Sequence, residues 1–491
     1  MKQLSSLDTQ FLHVESATTT GHVGGVLILD PTTAPTGELT LEDLRALYEA
    51  RLHLAAPLHE RLVEVPLNLG NPYWSHDPDF DLEYHLREVA LPPPGSHEQL
   101  GEQVSRIHAR PLDRSRPLWE AYLIQGLEGG LIALYAKVHH AAIDGISGAE
   151  ILATILDVTV ESRAVEPPTP DWQADDLPDR FTLAARGLAS SVVRSGKALT
   201  SVPRSLPHLA DLPGAKNVPG LRTVSDLTDS AVSMVTRGAA GSQGDKKRRD
   251  LSVPRTPFNG PITAHRRFAY GSVPLDDVKQ VKNAFGLTVN DVVMAMTTGA
   301  LRRWLIDHDA LPPIPLVAAV PVSIRADDDQ GGLGNHISVM LARLPTHLVD
   351  PAERLGAVAE AMVEAKAEFE AVPATILSDM SAAIPTALAG LASRALFRLV
   401  TAPGLPFNLF VSNVPGPQLP LYVAGARVRG IHPVSAVTNL TGGLNITLFS
   451  YDGALDFGLI ACREMVPDVW KLIDYLADEL HELVKLAPES S

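Results

Sequence analysis

The chain has 491 residues, of which 45% are hydrophobic and 20% are charged, a composition typical of a folded globular protein rather than a disordered one. This length predicts two or three domains or one large body with two lobes. The formal net charge of −16 opposes binding to nucleic acid phosphates, and the single cysteine, Cys462, excludes an intrachain disulfide and CxxC metal pairs.

The amino-terminal sequence MKQLSSLDTQFLHVES lacks the apolar run of a secretory signal. Elsewhere, no stretch approaches the ~20 apolar residues that span a bilayer. We therefore expect a cytoplasmic protein that is not secreted.

The first half of the chain contains a predicted strand, loop and helix in succession. Residues 131–138 (LIALYAKV) are typical of a strand. Ser147 and Glu150 have the spacing of a capping box, and residues 151–156 continue as an apolar helix. The loop between strand and helix is HHAAIDG.

Residues 166–255 are rich in Pro, Gly, Ser and charge, which is typical of a linker. Residues 181–199 show helical apolar spacing. The stretch 181–210 has no Asp or Glu but contains four basic residues, Arg186, Arg194, Lys197 and Arg204. Two interpretations stay open: a helix that lies on an anionic membrane surface, or one that packs on a lobe with its basic face in water.

The second half again mixes strands and helices. Thr288 and Asp291 bracket a predicted helix start, and the apolar face of this helix continues to Trp304. The remaining predictions are strands at 315–324 and 408–412, a hairpin of 444–451 and 454–462 around Asp452-Gly453, and a closing helix at 468–486. Cys462, in the last strand, is predicted to be a buried packing residue.

The segment HHAAIDG, residues 139–145, combines residue types suited to acid–base chemistry. Successive side chains of a strand point to opposite faces, so His139 and His140 are not expected to share a metal ion. We expect one imidazole to face a cleft and the other to pack away. A histidine at a strand end is suited to accept a proton from a hydroxyl group and to return it to a leaving group.

Asp144 admits two roles: orienting the imidazole, as the acid of a catalytic triad does, or fixing the loop through a cation. We favour the second role, because a short turning loop with Gly145 behind it needs a clamp, and Arg325 is the candidate partner. The chain lacks a GxSxG nucleophile elbow and a GxxxxGK[ST] phosphate loop, which argues against a serine hydrolase and a P-loop enzyme.

HHAAIDG resembles the HHxxxDG signature of the CoA-dependent acyltransferase superfamily. Further segments resemble one branch, the bacterial wax ester synthase/acyl-CoA:diacylglycerol acyltransferases. These segments are LSSLDTQFL at 4–12, PLW at 117–119, ND at 290–291, SNVPGP at 412–417 and NLTGGLNITLFSYDGALDFGLIACRE at 439–464. Together they cover nearly the whole chain apart from the linker.

The resemblance implies an α/β fold of two similar lobes, like chloramphenicol acetyltransferase, with mixed sheets, flanking helices and an active-site tunnel between the lobes. The expected lobes are residues 1–165 and 256–491, joined by the linker 166–255. The second histidine of the motif, His140, would be the general base in transfer of an acyl group from acyl-CoA to diacylglycerol or a long-chain alcohol. No acyl-enzyme, cofactor or metal is implied, since acyl-CoA is itself a substrate.

Three other positions carry open alternatives. Trp119 either shapes the channel near His140 or anchors the packing. Asn290 either donates to the oxyanion or caps its own helix. NVPGP, at 413–417, is interpreted as a structural turn rather than a substrate contact.

Two competing functions also stay open. One is a condensation-type acyltransferase that uses acyl groups bound to carrier proteins, and the other is a noncatalytic protein of a lipid surface. Insoluble acceptors imply docking to a membrane or lipid droplet, for which the basic stretch 181–210 is the first candidate.

Overall fold

The computed structural model describes residues 1–66, 70–143, 148–168, 182–183, 252–323, 337–370 and 406–487. The strands of the first half are β1 (Lys2–Gln3), β2 (His22–Asp30), β3 (Glu60–Val63), β4 (Tyr73–His76), β5 (Leu86–Ala90), β6 (Trp119–Leu127) and β7 (Leu131–His139). Its helices are α1 (Ser6–Val14), α2 (Leu41–Arg51), α3 (Leu82–His85), α4 (His97–His108) and α5 (Gly148–Ile155).

The second half alternates strands and long helices. Its strands are β8 (Arg266–Pro274), β9 (Leu316–Ser323), β10 (Ile337–Leu344), β11 (Leu409–Pro415), β12 (Tyr422–Val423), β13 (Ala426–Val434), β14 (Leu444–Tyr451) and β15 (Ala454–Cys462). Its helices are α6 (Leu275–Phe285), α7 (Val289–Asp307), α8 (Pro351–Glu370) and α9 (Trp470–Leu486).

Two six-stranded sheets form the two lobes. The strand order is β12-β13-β2-β7-β6-β5 in the first lobe and β10-β9-β11-β14-β15-β8 in the second. Both sheets are mixed, because β5 runs parallel to β6, and β11 runs parallel to β9 and β14. A separate, small sheet has the strand order β1-β4-β3. The predicted α/β class with two mixed-sheet lobes is confirmed.

Helix α7 shows how local sequence sets an element's start. Thr288 is the N-cap, its hydroxyl accepts from the backbone N–H of Asp291 at 3.2 Å, and the Asp291 carboxylate accepts from Thr288 N–H at 2.9 Å. This capping box satisfies two N–H groups that the first helical turn leaves free. Trp304 near the other end is buried, with its indole N–H donating to Asp468 at 3.0 Å.

Most predicted elements are present with small shifts in their bounds. The strand 131–138 extends by one residue to His139, and the helix predicted at 151–156 begins at Gly148. The hairpin of β14 and β15 has the predicted register, pairing Tyr451 with Ala454 around the turn. Cys462 is free and buried, as predicted.

The structure of the segment NVPGP differs from the predicted turn. The structure shows that β11 continues through Pro415 and pairs in parallel with β14, up to Pro415 opposite Ser450. A proline is tolerated there because β9 pairs only with Leu409 and Phe410, so this end of β11 has β14 on one side and no described strand on the other, like an edge strand. The segment is therefore a strand end and not only a turn.

Strand β13 crosses from the second half of the chain into the first sheet, where it pairs antiparallel with β2. It passes close to β15 of the second sheet, since a Cβ on Gly458 would lie 1.7 Å from the carbonyl oxygen of Pro433. Only glycine fits this approach. The first sheet therefore includes a strand from the second half of the chain.

An apolar cluster joins the lobes. It contains Val26 and Ile28 of β2, Phe268 and Tyr270 of β8 and Ile460 of β15, all buried. Burial at ~25 cal/mol per Å² makes such a cluster a main source of cohesion between lobes. The sheet of the first lobe is thereby fixed against that of the second.

Within the described residues, no single helix has the length and hydropathy needed to cross a membrane. Helices α6 and α7 meet the criterion only when taken as a pair, and they are bent by 104°. Much of α7 is buried in the core of the second lobe.

Candidate active site

Strand β7 ends at the two motif histidines, and the chain then makes a tight 3-10 turn, His140–Ile143. Two backbone hydrogen bonds hold the junction: His139 N–H donates to Leu118 O at 2.9 Å, and His140 N–H donates to Gly21 O at 2.9 Å. The end of β7 is thus fixed from both sides, by the chain before β6 and by the chain before β2.

His139 is buried, with 1% of its surface exposed. Its Nδ1 accepts a hydrogen bond from the backbone N–H of Ala141 at 3.1 Å. Its Nε2 lies 3.1 Å from Oε1 of Glu15, the C-cap residue of α1. Nδ1 therefore has a hydrogen-bond partner, whereas Nε2 lies within ion-pair distance of Glu15 without a hydrogen bond among the described residues.

The Glu15 carboxylate has further donors. Gly21 N–H donates to Oε1 at 2.8 Å, and the Arg114 guanidinium donates to Oε2 at 2.7 Å. Burial alone raises the pKa of Glu15, but its contacts with His139, Gly21 and Arg114 together outweigh burial and lower the pKa to about 2. Glu15 is therefore ionised at neutral pH.

His140 has different surroundings. Its ring stacks on Phe11 of α1, with centroids 4.2 Å apart and planes inclined by 21°. Its Nδ1 is buried and has no hydrogen-bond partner among the described residues. Burial, the largest cause, lowers the pKa of His140 to about 4. At neutral pH the ring is therefore an uncharged imidazole, the form that accepts a proton.

The residues predicted to support the loop, Asp144, Gly145 and Arg325, lie outside the described residues. Their roles stay predictions. Trp119 is buried and stacks between Tyr48, at 5.3 Å, and His85, at 4.5 Å, while its indole N–H donates to Leu58 O at 2.9 Å. These are packing contacts, and a role for Trp119 in a channel stays a prediction.

Asn290 lies in the first turn of α7, whose N-cap is Thr288. The interpretation of Asn290 as the helix cap is therefore wrong, because the hydroxyl of Thr288 precedes it and reaches the N3 backbone N–H group. Its candidate role as an oxyanion donor stays a prediction.

Glu15, Arg114 and Phe11 were not among the residues predicted from the sequence. Two signals pointed towards them: LSSLDTQFL contains Phe11 and ends three residues before Glu15, and DRSRPLWE contains Arg114. Pairing of residues ~100 positions apart cannot be read from local spacing, since it depends on the tertiary fold.

No group of three or more His, Cys, Asp or Glu side chains within the described ranges is arranged to hold a metal ion. The chemistry that these residues can perform is acid–base. A neutral, partly buried imidazole beside a second buried histidine at a strand end is the arrangement expected of a transferase of the superfamily with the HHxxxDG motif.

Comparisons with known proteins identify the branch. The family model described as wax ester synthase/diacylglycerol acyltransferase catalytic domain matches residues 4–293, and the model of the C-terminal domain of the same family matches residues 333–484. Two putative diacylglycerol O-acyltransferases of Mycobacterium tuberculosis are similar throughout. One is 34% identical over 100% of this chain and 92% of its own length, and the other is 37% identical over 98% and 99%.

Solved structures agree. The wax ester synthase/diacylglycerol acyltransferase from Marinobacter aquaeolei is 31% identical, with a TM-score of 0.67 over 99% of this chain and 100% of that one. The first condensation domain of the CDA synthetase shares the fold, at 17% identity and a TM-score of 0.55 over 99% and 96%. The chain belongs to the wax ester synthase/diacylglycerol acyltransferase family and is an O-acyltransferase, as the sequence resemblance implies.

Proposed function

We propose that the protein transfers a long-chain acyl group from acyl-CoA to the hydroxyl group of diacylglycerol, which yields triacylglycerol, or of a long-chain alcohol, which yields a wax ester. The observation that carries the proposal is the neutral imidazole of His140 at the end of β7, in a chain with this family membership. The family name and the names of the relatives support both acceptors.

In the proposed reaction, His140 takes the proton of the acceptor hydroxyl as its oxygen attacks the thioester carbonyl carbon. The C–O bond forms, the C–S bond breaks, and the proton returns to the CoA thiolate, so no acyl-enzyme and no cofactor are needed. A thioester is already activated, and the protein supplies mainly proximity, a base and oxyanion stabilisation. Asp144 and Arg325 would fix the loop, and Asn290 is the candidate oxyanion donor.

The test is turnover by the purified protein given palmitoyl-CoA together with diacylglycerol and hexadecanol. We expect His140→Ala to lower the rate by ~10² to 10⁴, the usual effect of losing a general base. His265→Ala is the matched control, because this histidine is exposed on the second lobe and pairs with Glu464 at 2.7 Å. Near wild-type turnover by folded His140→Ala protein would contradict the assignment of the base.

The same assay separates the competing functions. Transfer from acyl groups on a carrier protein but not from acyl-CoA would indicate a condensation-type enzyme. Absence of turnover with either donor would favour a noncatalytic protein of a lipid surface.

We further propose that the enzyme works in the cytoplasm, docked peripherally on a membrane or lipid droplet, because its acceptors are nearly insoluble. The basic stretch 181–210, which lies outside the described residues apart from 182–183, is the candidate docking segment. Each basic group near an anionic surface contributes about 1 kcal/mol, so four of them can offset repulsion of the acidic body.

To test docking, Arg186, Arg194, Lys197 and Arg204 are replaced together by Gln. We expect weaker cosedimentation with anionic liposomes and slower transfer to diacylglycerol in them, with transfer to a short soluble alcohol unchanged. The matched control removes four exposed basic groups from described surfaces: Arg106, Lys279, Arg303 and Lys485. Equal liposome binding by both variants would exclude this segment and direct attention to residues 380–399.

A further inference from the structure

The loop between α1 and β2, residues 15–21, is here called the carboxylate loop. Glu15 at its start accepts from Gly21 N–H at its end, at 2.8 Å, so the side chain closes the loop. The same carboxylate lies 2.7 Å from Arg114 and 3.1 Å from His139. One acidic side chain therefore joins the loop to the residue that precedes His140 in the sequence.

The hydrogen bonds of His139 determine its protonation. Because Ala141 N–H donates to Nδ1, that nitrogen carries a lone pair and no hydrogen. The ring proton is then on Nε2, which faces Glu15 Oε1. An imidazolium would place an N–H of His139 against the N–H of Ala141, which is repulsive. The geometry therefore requires a neutral His139 even though its partner is a carboxylate.

The charge of Glu15 must then be balanced by another group. His22, the cross-strand neighbour of His139, and His140 both have a pKa that burial lowers, so neither is a cation at neutral pH. Lys137 lies 3.3 Å from Glu120, which balances it. Among the described residues in contact with Glu15, Arg114 is the one that carries a permanent positive charge.

We propose that Glu15 is a positioning residue, which holds His139 as the neutral Nε2–H tautomer while Arg114 supplies the compensating charge, so that the turn bearing His140 keeps its place. This inference rests on the proposed role of His140 as the base. Glu15 and Arg114 act through His139 and do not touch the reacting atoms.

The close fit of the carboxylate loop supports this role. A Cβ added to Gly21 would lie 2.7 Å from Nε2 of His139, so the ring packs directly on the loop backbone. The carbonyl of the same glycine accepts from His140 N–H at 2.9 Å. A displacement of the loop therefore moves both histidines, and a misplacement of ~1 Å can cost ~10² in rate.

The second lobe also holds this loop. Arg266 of β8 donates to Thr18 O at 2.6 Å and to Val437 O at 3.1 Å. Arg266 is buried, so these charge-assisted hydrogen bonds are shielded from water. The position of His139 is thereby linked to the docking of the lobes.

The first test measures the tautomer directly, by ¹⁵N NMR of histidine-labelled protein with His139 assigned from the His139→Asn variant. We expect an unprotonated Nδ1 and a protonated Nε2 at pH 7 in the wild-type protein. An imidazolium, or a proton on Nδ1, would overturn the proposal. This readout needs no turnover, so it stands even if the proposed acyltransferase reaction fails.

The second test separates positioning from simple stability. We expect Glu15→Ala to lower kcat by ~10² with the KM for acyl-CoA little changed. Glu15→Gln keeps the size of the side chain and an oxygen that accepts from Gly21 N–H, and it is expected to retain more activity than Glu15→Ala. Equal loss in both variants, or a loss that follows melting temperature alone, would contradict positioning through a hydrogen bond.

The third test concerns the charge of Arg114. Arg114→Gln removes the positive charge and shortens the side chain that donates to Glu15 Oε2. We expect kcat to fall with the KM for acyl-CoA little changed. Arg114→Lys keeps the charge and is the matched control, which is expected to retain more activity. A wild-type kcat in Arg114→Gln would overturn the assignment of Arg114.

Discussion

The lowered pKa of His140 predicts how the rate of the reaction depends on pH. Burial lowers the pKa of this imidazole from its usual 6.5 to about 4. The base form accepts the proton, so activity is lost only as the pH falls through the pKa of the free enzyme. Glu15, whose pKa is about 2, stays ionised over the pH range of the assay and adds no further step to the pH–rate profile.

The magnitude follows from the fraction of unprotonated imidazole. At pH 5.5 a histidine with a pKa of 6.5 is ~10% in the base form, whereas one with a pKa near 4 is ~97% in that form. The two cases differ by about tenfold in kcat/KM relative to pH 8. We expect the profile to be flat from pH 8 to about 5 and to fall tenfold per unit below 4.

The assay uses an acyl-pantetheine thioester and a soluble alcohol. Acyl-CoA carries a phosphate monoester with a second pKa near ~6, whose titration would imitate a catalytic group, and pantetheine lacks it. Far-UV circular dichroism at each pH shows whether the protein stays folded. A half-maximal rate near pH 6.5 in folded protein would refute the reasoning, since it would mean that His140 titrates as an exposed imidazole.

Two further predictions concern the acidic residues Asp144 and Asp456. On the proposed pairing of Asp144 with Arg325, Asp144→Asn should lower both melting temperature and rate, because removing one member of a buried ion pair costs about 3 to 5 kcal/mol; lost activity at unchanged melting temperature would favour a triad-like role instead. For Asp456, burial raises the pKa from 3.8 to about 6, so its contribution to stability is present below pH ~4 and is lost as the pH rises to about 6. Relative to Asp456→Asn, the wild-type protein should lose roughly 3 kcal/mol of unfolding free energy between pH 4 and pH 7. A difference in stability between the two proteins that does not change with pH would contradict this.

Elements with strong local signals were predicted well from the sequence. The hairpin of β14 and β15 is confirmed because Asp452-Gly453 has a marked turn preference and is flanked by apolar runs. Helix α7 starts where the capping box of Thr288 and Asp291 indicated. These features depend on interactions between residues that are close in the sequence, and spacing alone reports them.

Elements that depend on distant contacts were not predicted. Strand β13 pairs with β2, about 400 residues away, and a β-bulge shifts the register between Val428 and Gly430. Gly458, which permits the crossing, is indistinguishable in the sequence from any other glycine. The turn predicted for NVPGP was likewise wrong in part, because its two prolines indicate a turn while the neighbouring β14 extends the strand through Pro415.

In the candidate site, too, local features were predicted from the sequence and contacts between distant residues were not. Residue chemistry and strand alternation singled out His140 and separated it from His139, but the partner of His139 could not be found, since Glu15 lies 124 positions earlier in the chain. The contact also has a consequence for the fold as a whole. Glu15 belongs to a loop that Arg266 of the second lobe holds through Thr18, so the first lobe alone does not complete the support of its own histidines. The support of the end of β7 therefore already depends on contacts from both lobes.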